Sequence, residues 1–279
     1  MGSVTTVGRI GDIVAMLPTL RSAGGKHDIF AHGSYMHLRI NFIRTFLMRQ
    51  SSVSSLRYGD KVKPDWRSEN FRLEHHIKHT PLPACHAQHA LHSRFIELLP
   101  DLSEPWVEAV EDNGFEKTVL IQRTARYNNP YFPWRSVVRH YGTRIALFGN
   151  DEEYEAFTKS YGTVRRVRFP DMLSLANAIK GCALFMGNQS FCSVLAEGLK
   201  VRRILECCLV VPDCVYVPSH LSQYVFDGSL MLPDVNESGE MQVEAKACLP
   251  LTEALKPIMA LRHSGHQSLL GYERWLRQL

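Results

Sequence analysis

Two glycine-punctuated turns, one in each half of the chain, narrow its architecture more than any other stretch. The first is Val7-Gly8-Arg9-Ile10-Gly11-Asp12-Ile13, set between a short apolar strand pattern and an amphipathic run. The second is Phe185-Met186-Gly187-Asn188-Gln189-Ser190, in the same setting. Each reads as a strand that stops, a tight backbone turn, and a helix whose N-terminus points outward. Such a terminus carries free N–H donors and about half a positive charge, so it suits an anion or a phosphate. One in each half predicts two α/β domains facing each other across a cleft.

Periodicity around the turns supports that plan. It predicts a strand over 4–7 and a helix over 12–22, with Ile13, Val14, Leu17 and Leu20 on one stripe. A strand from His27 to Ala31 and a helix from Tyr35 to Gln50 follow. Residues 51–83 read as irregular because of Pro64, Pro81 and Pro83, and 84–99 as helical. The stretch Pro100-Asp101-Leu102-Ser103-Glu104-Pro105 is the linker candidate. Beyond it, strands over 118–122, 144–148, 164–168, 183–186 and 203–207 alternate with helices over 151–160, 173–180 and 192–200. That alternation is the signature of βαβ units and a parallel sheet. The chain reads helical again from Thr252. The expected class is therefore α/β, with doubly wound Rossmann-like domains at 1–105 and 106–251 and helices over 252–279.

A length of 279 residues and 45% hydrophobic content suit two well-packed domains. No apolar run reaches the roughly 18 residues that a spanning helix needs, and no secretion signal is read at the start. Seven cysteines at irregular spacing, with Cys207 and Cys208 adjacent, make a poor disulfide framework and fit a reducing cytoplasm. Cysteines over 207–214 lack zinc spacing and are expected in the core. The net charge of +4 is mild but unevenly placed. Arg123, Arg126, Arg135, Arg139, His140 and Arg144 are followed by Arg165, Arg166, Arg168, Arg202 and Arg203. This pattern fits a polyanionic or phosphate-bearing partner, or a solvated basic face.

At this point the motifs resemble a known group. Gly8-Arg9-Ile10-Gly11-Asp12, followed by Ile13-Val14-Ala15-Met16-Leu17-Pro18, is similar to the N-terminal loop of the heptosyltransferase-like glycosyltransferases, glycosyltransferase family nine. Thr118 to Arg126 followed by Phe132-Pro133-Trp134 resembles the start of that family's donor domain. Ile145 to Gly149 resembles its second strand, and Arg168 to Asn188 its short helix, strand and phosphate-binding turn. The resemblance covers 1–25 and 118–208 well and 51–115 poorly. It implies a GT-B architecture with a nucleotide-sugar in the C-terminal domain and the acceptor mostly against the N-terminal one. It implies last helices that return to the first domain, and no cofactor beyond a UDP-, ADP- or GDP-sugar, with no metal. The chain departs where the family typically has Ser/Thr-Gly and a nearby histidine. Here Asn188-Gln189-Ser190-Phe191-Cys192-Ser193 stands instead. The wording is closer to small phage or bacterial relatives.

Candidate residues follow from the motifs and the resemblance together. Gly11, Gly149, Asn188, Gln189, Ser190 and Ser193 form the phosphate-binding set, with Ser190 alternatively only a helix cap. Arg123 and Arg126 follow an apolar strand, at the end where α/β sheets bind ligands; either contacts phosphate, or both face solvent. Asp12 is the candidate general base of an inverting transfer, or the N-cap of the helix after it. Glu206 holds ribose hydroxyls, or pairs with Arg202 or Arg203. Arg9, His75, His76 and Trp134 are weaker candidates for the acceptor. The histidines at 75, 76, 79, 86, 89 and 92 read as a metal site, an acceptor contact or plain surface, with the spacing poor for metal.

The expected function is a nucleotide-sugar glycosyltransferase. Its acceptor leans to a hydroxymethylated pyrimidine in phage DNA, because Tyr127, Tyr131, Phe132 and Trp134 interleave with the arginines. A lipopolysaccharide or other surface saccharide is the competing acceptor. A non-catalytic nucleotide- or nucleic-acid-binding protein of the same fold is the alternative from another class.

Overall fold

The structure, a computed structural model, describes residues 2–6, 10–22, 24–31, 39–59, 69–70, 102–208, 216, 219–226, 230 and 232–233. The first sheet is built from β1 (Gly2–Thr6), β2 (His27–Ala31), β3 (Val53–Tyr58) and β4 (Glu69–Asn70), in the order β3-β2-β1-β4. All its pairings are parallel. Helix α1 (Ile10–Ser22) follows β1, and α2 (Ile40–Arg49) follows β2. The expected stripe of α1 is buried, as are Ile43, Phe46 and Leu47 of α2.

β3 falls inside the stretch read as irregular. Its sequence, VSSLRY, hides a strand because Ser54 and Ser55 face a partner rather than water. Both hydroxyls donate to Asp28 Oδ1 on β2 at 2.5 Å. Expected helices over 84–99 and 252–279 lie outside the described residues, as do 35–38 of the expected helix 35–50.

The second sheet runs β5 (Val119–Gln122), α3 (Trp134–Tyr141), β6 (Ile145–Phe148), α4 (Asp151–Tyr161), β7 (Arg165–Val167), α5 (Met172–Gly181), β8 (Leu184–Asn188), α6 (Phe191–Gly198), β9 (Arg203–Glu206) and β10 (Ser222–Val225). Its order is β10-β9-β8-β5-β6-β7, again all parallel. Counted from β5, this is the doubly wound 3-2-1-4-5-6 order. β5, β8 and β9 are buried along their full length, as apolar runs in a covered parallel sheet should be. α3 and β10 were not expected. α3 buries Trp134, Val137 and Tyr141 while exposing its arginines, and β10 is a short edge strand carrying Ser222 and Gln223.

The stretch read as a linker from 100 to 105 leads directly into a packed connector. Trp106 and Val107 are buried, and both backbone N–H groups donate to the Gly198 carbonyl, at 2.9 and 3.1 Å. Gln50 at the end of α2 reads the Glu108 backbone both ways. It donates to the Glu108 carbonyl at 3.0 Å and accepts from its N–H at 2.8 Å. Helix α1 packs on α6 and α2 on α5, and a continuous apolar cluster joins the helices of both sheets. A second cluster around Trp134, Phe157 and Leu147 fills the other face of the larger sheet.

Candidate active site

Strand order reverses between β5 and β8, so the chain leaves their carboxyl ends in opposite directions and opens a crevice there. Three segments meet at that edge: the loop 123–129 after β5, the turn 189–190 after β8, and the first turn of α1. Gly187 lets β8 lie close to β5, since a β-carbon there would stand 2.5 Å from the Gln122 carbonyl oxygen. α1 also packs on α6 beside Gly11, where a β-carbon would meet Phe191 Cα at 3.4 Å, an ordinary van der Waals contact. Gly11 of the first motif thus lies against Phe191, which follows the second, and the N-termini of α1 and α6 converge.

Asp12 lies within the first turn of α1, because the helix begins at Ile10 rather than after Asp12. It is not the N-cap. Its carboxylate is half-buried at the positive end of the helix. Ser190 is the residue preceding α6. Its hydroxyl donates to Gln122 Oε1 at 2.5 Å, and its N–H donates to Ser193 Oγ at 3.2 Å. Cys192, the next residue but one, is buried, and burial pushes its thiol well above the ordinary range, so it is no nucleophile.

Asn188 is completely buried at the end of β8. Its Oδ1 accepts from Thr124 N–H at 3.1 Å. Its amide hydrogens reach the carbonyls of Thr124 at 3.1 Å and Arg126 at 2.5 Å, and Asn128 Oδ1 at 3.0 Å. Gln189 is buried too, accepting from Cys208 N–H at 2.7 Å. Both amides therefore organise backbone. Tyr127, at the centre of the clamped loop, has φ of 57°, the left-handed region that a bulky residue avoids unless held there.

Glu206 pairs with Asn188 in the β8–β9 register and is 0% exposed. It accepts from Arg123 Nε at 2.8 Å, Arg123 Nη2 at 3.1 Å, Asn129 N–H at 2.8 Å and Trp134 Nε1 at 3.0 Å. Its partner is Arg123, neither Arg202 nor Arg203, and with four donors its oxygens have no free direction toward a ribose. Arg123 is likewise held by that ion pair. Arg126 is exposed, its guanidinium 5.3 Å above the Tyr127 ring. Gly149 follows β6, and its carbonyl accepts from Arg166 at 3.2 Å. The following Asn150 caps α4 in a reciprocal pair with Glu153.

One expectation is overturned outright. Trp134 does not face an acceptor: it is 1% exposed, packed between Phe132 and the edge-on Phe157 at 4.6 and 5.3 Å, with its indole N–H bound to Glu206. Arg9, His75 and His76 lie outside the described residues. Gln122, Thr124, Asn128 and Asn129 belong to the site and were missed. A polar Gln122 closing an apolar strand was the available signal. Among the described residues, no group of His, Cys, Asp and Glu is placed to hold a metal ion, and no helix is long and apolar enough to cross a membrane.

No protein-family model matches the chain, and no curated protein matches it in sequence. Solved structures do match it in shape. E. coli heptosyltransferase WaaC with ADP-2-deoxy-2-fluoro heptose aligns over 81% of this chain and 93% of its own, at 11% identity and a TM-score of 0.49. A glycosyl transferase family 9 protein from Veillonella parvula aligns over 73% and 79%, at 14% identity and 0.49. E. coli ADP-heptose lps heptosyltransferase II aligns over 94% of this chain and 99% of its own, at 12% identity and 0.51. The fold is GT-B. In GT-B terms the six-stranded sheet is the C-terminal domain, and its crevice at β5 and β8 faces the first turn of α1.

Proposed function

We propose that this chain is a glycosyltransferase that moves a sugar from a nucleotide-sugar to an acceptor hydroxyl with inversion. The observation that carries the reading is the meeting of α1 and α6 N-termini at Gly11 and Phe191, beside the crevice of a GT-B fold. Asp12 takes the acceptor proton. The freed oxygen attacks the anomeric carbon as the bond from that carbon to the diphosphate oxygen breaks. The leaving diphosphate gathers negative charge, which the N–H groups at the head of α6 and the Arg126 guanidinium stabilise. Asp12 stands half-buried in the first turn of α1, which packs on α6.

The donor we favour is ADP-linked, as in the name of the heptosyltransferase whose fold aligns over 94% of the chain. The acceptor we favour is a saccharide. The DNA reading leaned on a basic face, and much of that charge is used internally. Arg123 pairs with Glu206, Arg203 with Glu197, and Arg166 and Arg168 with Asp151. Trp134, counted among the interleaved aromatics, is core.

Transfer from ADP-, UDP- and GDP-sugars to lipopolysaccharide cores and to hydroxymethylated DNA, read by mass spectrometry, tests the assignment. Asp12→Asn should lower kcat by about 10²–10⁴-fold while ADP affinity by calorimetry stays within about twofold. A wild-type protein that binds nucleotide-sugar yet transfers nothing to either acceptor would favour the binding-protein reading. Transfer to DNA alone would reverse the acceptor.

A further inference from the structure

The donor side of the crevice is shaped by a residue that is itself fully buried. Asn188 makes contacts that only an amide can make together. It supplies an acceptor to the Thr124 N–H, and its two amide hydrogens are shared among the Thr124 carbonyl, the Arg126 carbonyl and Asn128 Oδ1. Those groups bracket Tyr127, whose φ of 57° needs an outside hold. They also fix the backbone from which the exposed Arg126 side chain projects. Glu206 holds the far end of the same loop through Asn129 N–H, one strand away.

We propose that Asn188 is a positioning residue for the nucleotide-sugar: its amide holds the 124–128 loop in the strained shape that presents Arg126 to the diphosphate. This rests on the glycosyltransferase reading above. It adds a specific chemical requirement, because the near-isosteric Asp cannot replace Asn here. A carboxylate at this point would set its oxygens against two backbone carbonyls and Asn128 Oδ1, with no hydrogen to donate. Its charge would also be buried. Among the described residues, the charged groups on the flanking strand ends are Glu206 and Arg123, and these already neutralise each other. The new carboxyl would therefore be held protonated to a higher pH than usual. Once protonated, it regains a donor for the Arg126 carbonyl.

The test is ADP binding by calorimetry with purified wild type and Asn188→Asp, from about pH 8 to about pH 5.5. At the alkaline end the variant should bind at least about tenfold more weakly than wild type. That deficit should shrink several-fold toward the acid end, taken as a ratio to wild type at each pH. A merely destabilised protein would show no such recovery. Asn128→Ala removes one acceptor at the rim of the clamp without burying a charge, and should weaken ADP about two- to fivefold with an unchanged melting transition. If Asn188→Asp does not fold, that second variant decides alone. Equal affinities in wild type and variants, or a deficit that does not change with pH, would overturn the positioning role while leaving the function intact. A wild-type protein that binds no nucleotide at all would instead bring down the glycosyltransferase reading.

Discussion

Glu206 shows how a residue chosen for a ligand can turn out to serve the scaffold. It sits at a strand end where acidic side chains hold ribose in related folds, yet four protein donors occupy it. Removing it leaves a guanidinium, an indole N–H and a backbone N–H without their acceptor. Glu206→Ala should therefore cost about 3–5 kcal/mol, read from urea unfolding. A loss under about 1 kcal/mol would mean that water replaces the carboxylate freely. Asp28 gives a milder case. The Ser54 and Ser55 hydroxyls, then Arg57, hold its carboxyl below the ordinary value near 3.8. A lowered folded value means stability that is present above the unfolded value and lost as pH falls through the folded one. Asp28→Asn should flatten the fall in stability below about pH 4, because the variant lacks this contribution near pH 7 and approaches wild type at the acid end. The sequence singled out Asn188, Glu206 and Arg123, which meet at the ends of β5, β8 and β9. It could not reveal their roles, because the deciding partners lie 83 residues from Arg123 and 64 from Thr124.

At the scale of elements, the β5–β8 pair bears the most on the crevice. Gly187 stands where a β-carbon would press on the Gln122 carbonyl at 2.5 Å and on the Phe185 ring at 3.1 Å. Gly187→Ala should push the two strands apart where the sheet reverses, costing about 1–3 kcal/mol in chemical denaturation. ADP affinity should fall with it. Full stability in that variant would show that β8 can shift without strain. Core strands such as β5 and β8 were legible because a parallel strand covered on both faces is a continuous apolar run. β3 was not, since its serines look solvent-facing until Asp28 is beside them. α3 was missed for a related reason. Its apolar positions Trp134, Val137 and Tyr141 make a short stripe of only two turns, interspersed with exposed basic side chains.

At the scale of the whole molecule, the two sheets share one apolar cluster through α1, α2, α5 and α6. Their separation in the sequence is clear, but the strength of their union is not, because the packing helices are far apart along the chain. Calorimetric unfolding should give a single transition, with van't Hoff and calorimetric enthalpies in agreement. Two resolved transitions would mean that the halves melt independently. The Gln50–Glu108 exchange carries a further consequence for recombination between relatives. Gln50 belongs to the first half by sheet, while the backbone it reads belongs to the strap lying on α5 and α6. A crossover placed at the apparent linker would mate a foreign α2 with this strap and leave Glu108 without its reciprocal amide. Viable hybrids should keep a glutamine at the end of α2 or inherit the strap together with the first half.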